Sequence, residues 1–446
     1  MVSLALLSFV SSQVPAQSSN ADVGTLKGLA PVSGLLNTDA GKAALGANYT
    51  VTGGIQSGVI EQPTLLPFSE QQQQALRDAF STARNLAQLA DGLGTTLGSA
   101  YVAQFHYINQ KQISTMPQSI GDLIRYATAV SGTHSNAAKY LFANETTDGK
   151  TPVPSDETEI LKDIGGVADV FGKAYRLPAG TAGADAYGNS RPYQTEPSIV
   201  RFEGPDYLNR PASNFVYNHG PVMDLTNSPS YPSGHTTYGY TGAVLLAVLV
   251  PERYAEMIAR GAEYGNDRVI MGSHYVMDVL GGRTLALYDM AHLLADDPAY
   301  MGLSVRGAQP IKDFQSAVKS ARAELVAVLQ SGCGNRIEVC ATEDTGRFNN
   351  TAADEAFYET TQTYSLPVVY PDIAKGPEDV GKLAREAGYL LTVAFPALSL
   401  EQADKILTET EGPGGGFLDN GSGFGVYSRL DLYAAARRAE QIVVRK

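Results

Sequence analysis

Pro232-Ser233-Gly234-His235 lies near the middle of this 446-residue chain, and Arg268, His274 and Asp278 follow it. An imidazole and a carboxylate four positions apart are expected to share one face of a helix. There the carboxylate reaches one ring nitrogen, fixes the tautomer and leaves the other nitrogen able to attack. Arg268 adds a planar, permanently charged fork suited to a tetrahedral oxyanion. Ser233 and Gly234 offer a hydroxyl and an unshielded backbone N–H, and His235 can protonate a leaving oxygen. These residue types in this order describe a pocket that handles phosphate.

The elements that must position them read as helices. Thr236–Leu249 is a buried helix opening at the motif turn, Pro251 starts another that runs to about Tyr264, and His274–Leu294 carries the imidazole and its acid. Upstream, an apolar stripe from Leu76 to Leu89 predicts a helix over Ser69–Leu93, with further helices over Ile120–Leu141 and Glu157–Tyr175. Alternating strand patterns are scarce, so the expected fold class is all-α, a helical bundle with a C-terminal helical extension. In that extension Phe348–Asp372 lacks a period, while Pro377–Tyr389, Ser399–Glu411 and Tyr427–Val444 read as helices. Gly412–Gly425 reads as a loop, without the Gly-Lys-[Ser/Thr] ending of a phosphate loop. The expected organisation is a signal-peptide remnant over 1–16, a loop-rich segment over 17–68, the helical domain carrying the site over 69–330, and the extension, packed on the core, over 331–446.

A net charge of −13 with no basic run argues against a nucleic-acid or anionic-membrane partner. No stretch reaches the ~18 apolar residues of a membrane-spanning helix. Val2–Val10 followed by Ser11–Gln17 has the character of a secretory h-region and cleavage zone, although it lacks a basic start. A secreted or periplasmic location is therefore expected, and with it a disulfide between Cys333 and Cys340; two unrelated thiols are the alternative. There is no His-x3-His or carboxylate cluster with ligand spacing, so no metal is expected.

The order Pro-Ser-Gly-His, then Arg-x5-His-x3-Asp, resembles the last two motifs of the phosphatidic-acid phosphatase type 2 superfamily. That superfamily takes in bacterial class A non-specific acid phosphatases, membrane lipid phosphatases and vanadium-dependent haloperoxidases. Ser230–Thr236, Arg260–Gly265 and Arg268–Gly272 are similar to the soluble class A acid phosphatases, and the likeness covers about residues 70–325. The first family motif, Lys-x6-Arg-Pro, is not intact. Arg191-Pro192 supplies its arginine, but Ala184 stands seven positions before it. Lys173 is taken as the lysine, across a Gly/Ala/Pro-rich insertion at Leu177–Asn189. Arg210-Pro211, with Glu203 seven positions earlier, is the rival. Asp267 stands where the family usually has Ser, a second departure, since an acid beside a phosphate site is unhelpful unless it points away.

The resemblance implies a phosphoric monoester hydrolase of the acid phosphatase type, acting on small phosphate monoesters without a cofactor. Lys173, Arg191, Ser233, Gly234 and Arg268 would hold the phosphoryl oxygens. His274 would attack to give a phosphohistidine, Asp278 would orient it, and His235 would serve as acid and then base. Vanadate has similar geometry, so a vanadium-dependent haloperoxidase with His274 as axial ligand is the alternative. A catalytically silent phosphate binder is a third reading. Arg283, five positions from Asp278, is expected to be solvated or to form a structural ion pair. Tyr231 and Tyr238 read as packing groups, and His106, His134, His219 and His292 as structural or surface residues. Homo-oligomer formation and the natural substrate stay open.

Overall fold

The computed structural model describes residues 20–60, 64–81, 84–109, 111–144, 191–196, 198–214, 228–305, 307–342 and 345–444. Lys173, His219, the segment 1–16 and the helix expected over Glu157–Tyr175 lie outside the described residues. Numbering the described helices of ten residues or more gives α1 Asn20–Leu29, α2 Asp39–Ser57, α3 Phe68–Asp78, α4 Thr95–Gln104, α5 Gln118–Asn144 and α6 Gly234–Leu249. They continue with α7 Tyr254–Ile270, α8 Val276–Leu294, α9 Phe314–Cys333, α10 Thr351–Thr363, α11 Leu400–Glu409 and α12 Leu432–Val444. Among the described residues strands are confined to two short antiparallel pairs, Tyr107–Asn109 with Gln112–Ile113 and Glu203–Pro205 with Pro211–Ser213. The fold is all-α.

α6 is the axis of the bundle. It opens at Ser233, whose hydroxyl accepts from the Thr236 N–H, and its side chains from Tyr240 to Leu249 are all buried. A helix apolar on every side must be enclosed, and α5, α7 and α8 enclose it. Two glycines permit the close approach. A Cβ at Gly239 would lie 2.2 Å from the Tyr264 ring of α7, and one at Gly282 of α8 would lie 2.5 Å from the Ser233 carbonyl.

Several sequence expectations are corrected. The segment 17–68 is not loop-rich, since α1 and α2 occupy most of it. The buried stripe of α2 includes polar Asn48 and Thr52, and its glycines 46 and 53 face open space, which masks the period. The helix expected over Ser69–Leu93 stops at Asp78, and the chain resumes as a 3-10 turn over Ala87–Leu93. Asn85 binds the Ala87 N–H and the Phe105 carbonyl there, a local alternative to helix bonding. Phe348–Asp372 contains α10, capped by Asn350, whose buried face mixes Asp354 and Thr361 with Phe357 and Tyr358. Pro377–Tyr389 gives only short turns, Val380–Leu383 and Arg385–Gly388. Cys333 and Cys340 are joined in a disulfide. Arg283 is not solvated: it is 1 % exposed and donates to the Leu430 carbonyl and the Tyr358 hydroxyl.

α7 is clamped by charge as well as by apolar packing. The buried Arg260 guanidinium grips both Asp78 oxygens at 2.6 Å and reaches Asp91 at 2.8 Å. Arg347 from the C-terminal region closes on Asp91 at 2.7 Å and Glu263 at 2.6 Å. Replacing Arg260 by Met would leave the buried Asp78 carboxylate without a cation and Asp91 and Glu263 with Arg347 alone. Urea denaturation should show Arg260→Met less stable by about 3–5 kcal/mol near neutral pH. The deficit should shrink as the pH falls, because the stranded carboxyls can then take protons.

Candidate active site

Three N–H groups at the start of α8 have no acceptor within the helix, and side chains from two elements supply one. Asp278 Oδ2 accepts from the Tyr275 N–H at 2.8 Å, while α2 reaches across with Thr52 Oγ1 on the Val276 N–H (3.1 Å) and Asn48 Oδ1 on the Met277 N–H (3.0 Å). His274 therefore does not sit on the helix with Asp278, as its spacing predicts; it lies in the turn just before the Tyr275 cap. The four-residue spacing still brings the pair together, because Asp278 folds back over the helix end. Its Oδ2 stands 3.3 Å from His274 Nδ1 and also accepts from Ser230 Oγ.

The other ring nitrogen faces a cation. Arg191 Nη1 lies 2.9 Å from His274 Nε2, and a guanidinium can only donate. Nε2 therefore carries the lone pair, and in a neutral ring Nδ1 carries the proton toward Asp278. The ring is fully buried. Burial, and then the charges of Arg191, Lys139, Arg268 and His235, hold its pKa well below the usual 6.5. Arg191 is itself fixed by carbonyls, from Nε to Ser228 (2.9 Å), from Nη1 to Ser273 (3.0 Å) and from Nη2 to Pro229 (3.1 Å).

Arg268 ends α7 beside this ring. It is fully buried, and none of its three guanidinium nitrogens has a hydrogen-bond partner among the described residues. Burial draws its pKa down to about 10, a shift that Tyr264 opposes and Arg191 reinforces. Buried polar groups in folded proteins are almost always paired. A permanently charged fork without an acceptor marks a place for an anion. Asp267, next to it in sequence, points elsewhere: it accepts from Gln71 at 2.8 Å, and burial among Asp78 and Glu263 pushes its carboxyl well up.

The opening turn of α6 faces the same space. The Ser233 N–H is tied to the Asp278 carbonyl at 2.9 Å, which locks the starts of α6 and α8 together. Ser233 Oγ accepts from Thr236 N and from Thr236 Oγ1 (2.8 Å), so its own proton remains to be donated outward. The Gly234 and His235 N–H groups belong to the first helical turn, where no intrahelical acceptor exists and the helix dipole favours negative charge.

The structure thus brings Arg191, Ser233, Gly234, His235, Arg268, His274 and Asp278 to one locus. Arg210 is elsewhere: it is half-exposed and doubly bonded to Asp206 at 2.6 and 3.0 Å. Ser228, Ser230 and Lys139 also belong to the locus and were not foreseen. Only Ser230, inside the Ser-Tyr-Pro-Ser-Gly-His run, had a sequence signal that could have found it. Tyr231 packs on Phe142 and Phe417, and Tyr238 bonds Gln88 and the Asn85 carbonyl. His134 pairs with Asp289 and His292 with Asp297. A cleft of about 500 Å³ lined by Arg77, Asp91, Tyr207 and Arg347 shares no residue with the locus. Among the described residues no three His, Cys, Asp or Glu side chains are placed to hold a metal, and no helix is long and apolar enough to cross a membrane.

Nitrogen-15 NMR should show His274 as the neutral Nδ1–H tautomer, and still neutral on acidification through the range where exposed histidines titrate, near 6.5. Asp278→Ala should weaken the tautomer preference, which Arg191 alone then sets. Titration of His274 near 6.5 in the unaltered chain would contradict the arrangement described here.

Residues 185–295 match the PAP2 superfamily. The non-specific acid phosphatase of Salmonella typhimurium is 38% identical over 124 residues, 27% of this chain and 44% of that protein. The acid phosphatase of Zymomonas mobilis is 40% identical over 72 residues, 16% of this chain and 27% of its own length. The non-specific acid phosphatase of Providencia stuartii is 42% identical over 62 residues, 14% of this chain and 25% of its own length. The chain spans less than half the length of these relatives. Arg191, Ser233, His235, Arg268, His274 and Asp278 all fall in the matched segment, whereas α5 lies before it. Over residues 185–295 the chain is thus similar to the PAP2 superfamily.

Proposed function

We propose that the chain is a phosphoric monoester hydrolase of the acid phosphatase type, working through a phosphohistidine on His274. The observation that carries this proposal is the buried Arg268 fork without an acceptor among the described residues, set beside an imidazole kept neutral with its Nε2 lone pair turned to the same space. The similarity to acid phosphatases supports hydrolysis of phosphate esters over vanadate chemistry.

In this mechanism a monoester enters as an anion and its non-bridging oxygens take the donors of Arg268, Arg191, Ser233 and the Gly234 N–H. Arg191 gives up His274 Nε2 to the substrate. Nε2 attacks phosphorus in line, the bond from phosphorus to the ester oxygen breaks, and that oxygen takes a proton from His235. Asp278 holds the Nδ1 proton of the ring as positive charge develops on it. Water then gives a proton to His235 and attacks the phosphohistidine, the P–N bond breaks, and inorganic phosphate leaves. The cationic donors act on charge spread over the equatorial oxygens, where phosphoryl-transfer catalysis chiefly operates. No step calls on a metal or cofactor. Export to an oxidising compartment belongs to the same proposal, and the Cys333–Cys340 disulfide supports it.

With p-nitrophenyl phosphate, rapid acid-free quenching should trap a phosphoprotein that acid destroys and alkali spares. His274→Ala should form none and lose turnover to background. A phosphoprotein that persists in His274→Ala removes His274 as the nucleophile, and an unaltered chain that hydrolyses no monoester overturns the proposal itself.

Arg191 and Arg210 separate cleanly. Arg191→Ala should lower kcat/KM by about 2.7–4 kcal/mol, by analogy with one oxyanion-hole donor, and weaken inhibition by phosphate in parallel. Arg210→Ala should stay within roughly twofold, since it removes only a surface ion pair. The opposite ranking would place the first-motif arginine at Arg210.

A further inference from the structure

Two side chains of α5, which lies outside the matched segment 185–295, face the same locus. Ser135 and Lys139 are one helical turn apart and 1 % and 5 % exposed. Ser135 Oγ has no hydrogen-bond partner among the described residues. The missing Cβ of Gly234 leaves a space bounded by Ser135 Oγ at 3.5 Å and Lys139 Nζ at 3.6 Å. Lys139 Nζ donates to Ser228 Oγ (3.4 Å), to which Arg191 Nη2 also donates (3.3 Å), and Arg191 Nη1 stands on His274 Nε2. Lys139 is therefore three hydrogen bonds from the reacting nitrogen, through Ser228 and Arg191, with an unsatisfied hydroxyl beside it.

We propose that Lys139 and Ser135 complete the oxyanion cradle, the ammonium and the hydroxyl each donating to a non-bridging oxygen of the phosphoryl group beside Gly234. This rests on the phosphate-ester function proposed above. It gives the pocket a lysine from α5, reached through tertiary packing and not through the Lys-x6-Arg-Pro spacing. Lysine suits the position because its flexible stem can leave Ser228 for an incoming anion, as a compact point charge.

The test uses the full chain and inorganic phosphate, followed by calorimetry, with p-nitrophenyl phosphate kinetics across pH. Lys139→Met should weaken phosphate binding about ten- to a hundredfold, Ser135→Ala about two- to tenfold, and Lys139→Arg by no more than about threefold. Among the described residues the groups that face His274 are Arg191, Arg268, His235, Lys139, Asp278 and Ser230. Removing the charge of Lys139 removes one opponent of His274 protonation. The acidic limb of kcat/KM, which requires a neutral ring, should then move to higher pH in Lys139→Met and stay in place in Ser135→Ala. A lysine that merely braced the Ser228 turn would change thermal stability and move that limb through its charge, yet leave phosphate affinity nearly unchanged. Lys139→Met binding phosphate within about twofold of the unaltered chain overturns the proposal. Ser135→Ala removes only an unpartnered hydroxyl, so it can be read even where Lys139→Met misfolds, and undiminished phosphate binding in it also overturns the proposal. Absence of phosphate binding by the unaltered chain instead brings down the proposed function, and this inference with it.

Discussion

Concentrating positive charge in a dry pocket without letting the protein neutralise it is the constraint on which the rest of this structure depends. Arg191, Arg268, Lys139 and His274 converge where burial disfavours each charge and every neighbour of like sign adds to the cost. A carboxylate within reach of Arg268 would relieve that cost and occupy the site. α7 prevents this by its period. Arg260, Glu263 and Asp267 recur at three- and four-residue steps and share a face turned to α3, where Asp78 and Gln71 receive them. Arg268 is a single residue further on, turned by about a quarter of the circumference, and follows Tyr264 onto the pocket face. One helix thus keeps an acid-rich network apart from a cation that has no acceptor among the described residues.

The same constraint explains the treatment of Asp267. An acid beside the phosphate-facing arginine looks unfavourable in the sequence. In three dimensions it joins Asp78 and Glu263, and its carboxyl is pushed well up by burial first and then by those neighbours. A carboxyl pushed up by burial and turned to Gln71 competes less for Arg268 than an ordinary carboxylate facing the pocket would. The net charge of −13 is therefore no obstacle to an anionic substrate. What counts is which face of α7 each charge occupies.

Legibility followed the range of the interactions. The turn at Ser233–His235, the arginine at 268 and the His274/Asp278 pair are local patterns, and local spacing sufficed to bring them forward. The helices over 234–249 and 118–144 were likewise legible, because a long period or a continuous apolar run survives any context. Lys139 was not, because nothing in Ala137–Tyr140 distinguishes a pocket lysine from a solvated one; its role depends on packing against a turn 89 residues away at Ser228. α2 was missed for a related reason. Its buried Asn48 and Thr52 look like loop residues until the α8 N–H groups they satisfy are in view. Polar residues that serve a distant backbone erase the very period by which a helix is recognised.

Asp278 shows why fold and chemistry cannot be separated at this site. Its Oδ2 caps α8 through the Tyr275 N–H, orients His274 and takes the Ser230 proton, while its carbonyl holds the Ser233 N–H that opens α6. A group that caps a helix is held in place by the stability of the helix, without a dedicated framework. The imidazole it steers inherits that rigidity. α2 extends the arrangement, since Thr52 and Asn48 fix the next two N–H groups and so set the angle at which α8 meets the pocket. Preorganisation of the reacting nitrogen is achieved by bonds that the fold would require in any case. The residues 39–57, which carry no recognisable chemistry of their own, therefore bear directly on where His274 Nε2 points.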